Sequence, residues 1–262
     1  MRIADVCRAL EELAPLSWQE SYDNAGLQLG NPDCELEGGI LVCLDVSQAV
    51  LEEALSLGCR MIVSHHPLIF RGLKHLTDAT AVEKCVASAI RNDLAIYAAH
   101  TNLDSVRQGV SAKMCAKLGL QPRGFLSPKD AQAEAGLGML AEFDQALTEE
   151  EFLQRVKQTF SCACLRHSAL TGRPVKRLAL CGGAGAEFIP EALAAGADAF
   201  LTADVKYHEF SEPDGRLLLV DAGHFETEQY TKEIIYDLLS EKFPNFAVRI
   251  SQAEKNPVRY FK

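Results

Sequence analysis

The chain has 262 residues, with 26 Lys+Arg against 36 Asp+Glu and a formal net charge of −10. This acidity argues against a salt-driven nucleic-acid binder, which needs clustered cations to displace counterions from phosphates. A composition 48% apolar and 24% charged excludes disordered, collagenous and coiled-coil chains, and the length suits one large or two modest domains.

In chain order, MRIADVCRALEELAPL carries acids inside its apolar periodicity, which predicts an amphipathic helix and not a signal peptide. Residues 40–45 (ILVCLD) read as a buried strand, 48–57 as a helix, 61–64 (MIVS) as a strand, 79–92 as a helix and 94–99 (LAIYAA) as a strand. Residues 121–176 hold QPRGFLSP, GLGMLAEF, the acidic helix start TEEE and CACLRHS, where the pattern turns antiparallel. Strands follow near 177–181 (RLALC), 199–202 (AFLT) and 217–221 (LLLVD), with helices near 187–195 and 225–240; AEKNPVRYFK reads as a surface strand or tail.

Short apolar runs separated by helices predict an α/β protein of two related lobes with mostly parallel sheets. The expected division is a first α/β lobe over 1–122, a small α+β connecting layer over 123–176 and a second α/β lobe over 177–262. An offset of 138 lays ALSLGCRMIVS at 54–64 on ALAAGADAFLT at 192–202, and Cys43 on Cys181. The match fits a duplication, or two independent βαβ units with the same grammar.

No window approaches the roughly 20 apolar residues of a membrane span. Nine cysteines, an odd number and mostly within apolar runs, predict reduced thiols in a cytoplasmic protein. Cys162 and Cys164 form the close pair, without a second pair to complete a tetrahedral metal site.

His65 and His66 follow the strand MIVS and precede Pro67. Adjacent strand residues point to opposite faces, so both rings can converge only where the strand stops, and Pro67 supplies that stop. A core or surface role and metal ligation are both open for the pair. Asp104 lies past the next strand, and His224 and Glu228 past the last, spaced i,i+4 so that one helix face carries both. Three imidazoles and two carboxylates at strand ends exceed what one hydrolytic ion requires, and a two-ion site with a bridging carboxylate accounts for the surplus. His100 is a sixth ligand or, the favoured reading, a donor that orients a carboxylate. Zn, Fe, Mn, Co and Ni all suit these nitrogen and oxygen donors.

Asp23-Asn24-Ala25-Gly26 reads as a turn in which Asn or Gly accepts positive φ. Gly182, Gly183 and Gly185 form a close strand-to-helix turn, favoured over a phosphate cradle. Asp204, Lys206 and His208 follow AFLT at the repeat position of the histidine pair. Lys206 and His208 are candidates to bind a substrate phosphate or donate a proton; Arg71 and Lys74 read as solvated charges.

SYDNAGLQLG (21–30), SHHPLIF (64–70), AAHTNLDS (98–105), LCGGAGAEF (180–188), FLTADVKYHEF (200–210) and GHFETE (223–228), in this order, resemble the NGG-interacting-factor-like family, the bacterial GTP cyclohydrolase I type 2 homologues. The resemblance covers nearly the whole chain. It implies a dinuclear metal site in a cleft between two α/β lobes, with two divalent ions per subunit held by His65, His66, Asp104, His224 and Glu228. It also implies a toroidal homohexamer. Asn24, Asp204 and Lys206 are then expected near a small nucleotide-like substrate, and His100 and His208 as catalytic proton carriers. Two functions remain in view: a metal-dependent hydrolase, and a non-enzymatic metal-binding, metal-delivery or regulatory protein.

Overall fold

The computed structural model describes residues 1–132 and 134–261. The chain opens with α1 (Ile3–Leu13), β1 (Gly26–Leu29), β2 (Gly39–Cys43), α2 (Gln48–Ser56), β3 (Cys59–Ser64), α3 (Ala81–Arg91), β4 (Ala95–Ala98) and the short turn α4 (Thr101–Asp104). It continues through α5 (Val110–Lys117), β5 (Pro122–Pro128), β6 (Gly136–Leu147), α6 (Glu149–Thr159), β7 (Arg166–His167) and β8 (Val175–Ala184). The remainder is α7 (Ile189–Ala194), β9 (Ala199–Ala203), β10 (Leu218–Asp221), α8 (His224–Glu228), α9 (Thr231–Lys242) and β11 (Val248–Ile250). Two units share these elements: residues 1–103 with 231–255, and residues 104–230 with the chain from Asn256 onward.

Among the described residues of the first unit, one sheet runs β1-β4-β3-β2-β11, parallel throughout except for β1 against β4. β2 is buried along its whole length because α-helical segments cover a sheet of this kind on both faces, and only an apolar run such as GILVC tolerates that. Helix α2 begins where Ser47 Oγ accepts the Val50 N–H and ends before Gly58, whose φ of +69° is open to glycine at low cost. Leu41, Val50, Leu51, Ile62, Val86 and Ile96 form the core beneath.

The second unit departs from the expected mostly parallel sheet. Its order is β5-β6-β8-β9-β10-β7, with β8, β9 and β10 parallel but β5–β6, β6–β8 and β7–β10 antiparallel, so the sheet is mixed. The physical reason lies in the connection: β5 ends at Pro128 and β6 starts at Gly136, too short a link for the crossover that parallel neighbours need. Residues 123–176, read from sequence as a connecting layer, thus supply β5, β6 and β7 to this sheet. Alternation divides its core: Leu178, Leu180, Leu201, Leu218 and Val220 pack with Phe152 and Phe160, while Ala179, Phe200, Leu217 and Leu219 pack with Phe188 and Ile189.

The 138-residue offset has a topological counterpart. β2-α2-β3 and β8-α7-β9 are both parallel units, and Gly196 ends α7 at φ +66° as Gly58 ends α2. The helix expected over 225–240 is two helices, broken at Gln229–Tyr230, where the chain passes from the second unit back to the first. No strand forms in the described part of AEKNPVRYFK, and no described helix is long and apolar enough to cross a membrane. All nine cysteines are free thiols; Cys162 is buried and Cys164 exposed.

Candidate metal-binding site

In the first unit, β3 delivers the histidine pair. The His65 and His66 N–H groups donate to the carbonyls of Cys43 and Leu44, extending the ladder until Pro67 ends it. His65 is fully buried, and its Nδ1 lies 2.7 Å from the Ala99 carbonyl oxygen. A carbonyl only accepts, so Nδ1 carries the proton and Nε2 presents a lone pair. His66 Nδ1 lies 2.8 Å from Asp45 Oδ1, and His100 Nδ1 lies 2.7 Å from Asp23 Oδ1, which fixes both rings in the same sense. One nitrogen from each of His65, His66 and His100 falls within 4.8 Å of the others.

Asp23 anchors more than a ring. It also accepts the Thr101 hydroxyl and N–H and the N–H of Asn24. Burial alone raises its pKa, but these bonds and the adjacent imidazole outweigh burial and hold it at about 2. It is therefore an ionised acceptor at neutral pH.

In the second unit, β10 delivers Asp221, and Gly223 at φ +94° turns the chain into α8. Asp221 is buried and accepts the N–H groups of both Gly223 and Val205, each at 3.0 Å, while pairing with Arg166. It thereby ties the loop carrying Asp204 to the loop carrying His224. Asp204, at φ +54°, accepts from His224 Nδ1 at 2.8 Å, and that bond holds its carboxyl below the usual range. His224 Nε2 faces Glu228 Oε2 at 2.9 Å, the i,i+4 pairing expected from sequence. Burial disfavours a charged His224 ring, yet the hydrogen bonds and charges of Asp204 and Glu228 push its pKa up to about 11. The second unit so favours positive charge where these side chains meet.

Glycine makes room for that arrangement. A Cβ on Gly183 would stand 2.1 Å from Glu228 Oε1, and its φ of +62° also selects against a side chain. The Gly183 N–H is taken by Thr227 Oγ1 at 3.1 Å, which favours the close turn over a phosphate cradle. Asp104 brings a carboxylate oxygen within 4.8 Å of one from Glu228. Cys181 lies nearby as a neutral thiol, its pKa raised by burial and by the Asp104 and Glu228 charges.

His208 is exposed, with its ring against Tyr207 at 5.1 Å, and Lys206 is exposed beside Glu209 at 3.5 Å. Asn24 donates its side-chain amide to the Ile69 carbonyl, and Asp204, read from sequence as a substrate contact, serves the His224 ring. Sequence reasoning missed Asp45 and Asp23 as ring anchors; their only signal was position, at a strand end and in the SYDNAG turn.

The donor chemistry fits divalent transition metals. Imidazole nitrogen with carboxylate oxygen suits Zn, Fe, Mn, Co or Ni, and a ligating histidine characteristically donates its second ring N–H to a carboxylate or carbonyl. All four histidines do so. Fold and site together define an α/β protein with two mixed sheets and clustered His, Asp and Glu groups able to bind metal ions. The chain belongs to the Duf34/NIF3 (NGG1p interacting factor 3) family, whose model matches residues 1–257. A "GTP cyclohydrolase 1 type 2 homolog" from Clostridium acetobutylicum is 34% identical over 87% of this chain and 85% of its own. One of the same name from Streptococcus pneumoniae is 33% identical over 99% of this chain and 100% of its own. Among solved structures, Staphylococcus aureus hypothetical protein SA1388 superimposes with a TM-score of 0.92 at 29% identity, covering 100% of this chain and 99% of that one.

Proposed function

We propose that His65, His66, Asp104, His224 and Glu228 together hold two divalent metal ions, and that the protein is a metal-dependent hydrolase of a nucleotide-like substrate. The observation that carries this reading is the uniform anchoring of the four histidines, each with Nδ1 committed to a carbonyl or carboxylate acceptor. Bound divalent ions supply Lewis acidity, toward water and toward the group under attack. The protein's own part is orientation and proton handling: Asp23, Asp45, Asp204 and the Ala99 carbonyl set the rings, and His100 Nε2 accepts a proton while Asp23 stabilises the resulting imidazolium. The shared name of the relatives makes GTP the first substrate to test.

Protein loaded in turn with Zn, Mn, Fe and Co is expected to consume GTP, and Glu228→Gln to lose that turnover. Absence of turnover with every metal would sink GTP as the substrate. The second reading, a metal-delivery protein, is favoured by the His224 side chain, 35% exposed and so open to exchange; it predicts transfer of the ion to an acceptor chelator at the rate of dissociation. A toroidal homohexamer is proposed on the family resemblance, and the solution mass tests it.

A further inference from the structure

Two large aromatic rings stand exposed next to the first unit's histidines. Tyr22 is 62% and Phe70 is 42% exposed, with ring centroids 6.4 Å apart at an interplanar angle of 61°. The Phe70 ring in turn lies 6.1 Å from the His100 ring, at 83°. Side-chain-to-backbone bonds tie together the segments that carry them. Asn24 Nδ2 donates to the Ile69 carbonyl, the Ile69 N–H donates to Gln28 Oε1, and Gln28 Nε2 donates back to the Asn24 carbonyl. Asp23, between Tyr22 and Asn24, grips His100 and Thr101. The SYDNAG turn, the end of the SHHPLIF segment and the start of α4 are thus one fixed assembly, and Arg71 follows Phe70 on an exposed loop.

We propose that Tyr22 and Phe70 form a stacking platform for the purine ring of a nucleotide, with Arg71 meeting its phosphate. This rests on the reading of the histidine site as one that acts on a nucleotide-like substrate. An edge-to-face aromatic pair offers two steeply inclined π faces, a corner suited to one flat ring. A heteroaromatic ring stacked on Phe70 stands beside His100, which places the ring to be attacked next to a proton acceptor. Stacking supplies affinity without hydrogen-bond readout, and the guanidinium supplies the anion contact. Leu73 and Leu76 are exposed on the same loop, so contact with a second copy of the chain is the competing occupant and forms one arm of the test.

The full-length, metal-loaded protein is titrated calorimetrically with guanosine 5′-monophosphate, guanosine and ribose 5-phosphate, with metal content and solution mass measured for every variant. Phe70→Leu and Tyr22→Leu are expected to weaken the monophosphate and guanosine about 10-fold, with ribose 5-phosphate unaffected and metal content unchanged. Phe70→Trp restores binding, and Arg71→Gln weakens the monophosphate but not guanosine. The proposal is overturned if Phe70→Leu leaves monophosphate affinity unchanged, if it weakens ribose 5-phosphate equally, if it changes only the solution mass, or if the wild-type protein binds none of the probes. The two readings fail separately. Phe70-dependent binding without GTP turnover sinks GTP hydrolysis and keeps the platform, whereas turnover indifferent to Phe70→Leu does the reverse.

Discussion

At the scale of single residues, the candidate metal-binding groups are built on histidines, and carboxylate and carbonyl partners orient their rings. The strand-end position of His65 and His66 was legible because Pro67 marks where the strand stops, and His224 with Glu228 was legible because i,i+4 is a local rule. The anchors were not. Asp23 and His100 are separated by 77 positions, and Asp45 and His66 by 21, so no spacing rule joins them. Asp204→Ala and Asp45→Ala are each expected to lower metal affinity by about 10–100-fold with little change in melting temperature, measured by titration against a competing chelator. Retention of full affinity by both variants would show that the rings are oriented by packing alone.

At the scale of elements, sequence patterning read the buried parallel strands well and the mixed part of the second sheet poorly. GILVC and AFLTA are wholly buried, and their unbroken apolar runs say so directly. β6 extends over Gly136–Leu147 with a half-exposed pattern, and its pairing is set by the short connection from β5, not by its own residues. Turns between elements hold the site's tightest constraints. Gly183→Ala drives a Cβ into Glu228 and is expected to abolish metal binding, whereas Gly58→Ala meets nothing within 4 Å and costs about 1 kcal/mol of backbone strain. Paired denaturation curves and metal titrations distinguish them. Asp221→Ala strands two N–H groups on separate loops and is expected to destabilise the protein by about 2–5 kcal/mol while weakening metal binding, because Asp204 and His224 lose their common support.

A second carboxylate links α2 to the chain beyond β11. Glu53 accepts from the Ser251 hydroxyl and the N–H groups of Gln252 and Ala253. Burial raises its pKa, but these bonds lower it overall. A depressed folded-state pKa means stability that is present above the unfolded value of about 4.3 and lost as pH falls through the folded one. Glu53→Gln is therefore expected to be less stable than wild type at pH 7 and to converge with it in acid, as pH falls through the folded-state pKa of Glu53. Parallel curves across that range would rule out the linkage.

At the scale of the whole molecule, neither unit is a continuous stretch of chain. The first closes only with residues 231–255, and the second takes back the chain from Asn256 onward. The proposed ring of six subunits and two ions per subunit are tested together by solution mass and elemental analysis of protein purified without added metal. A mass of one subunit would remove the ring, and one ion per chain would remove the dinuclear centre.

The pairing of β11 with β2 also sets a timetable for synthesis. β2 is complete at Cys43, but its outer neighbour starts at Val248, so on the ribosome that edge waits for all of the chain between them. At ~5–20 residues per second the wait lasts roughly 10–40 s, during which an apolar strand has open N–H and C=O groups on one side. A nascent chain arrested before Val248 presents that edge to whatever strand it meets, and the emergence of β11, not of the earlier strands, is the moment at which the edge is closed.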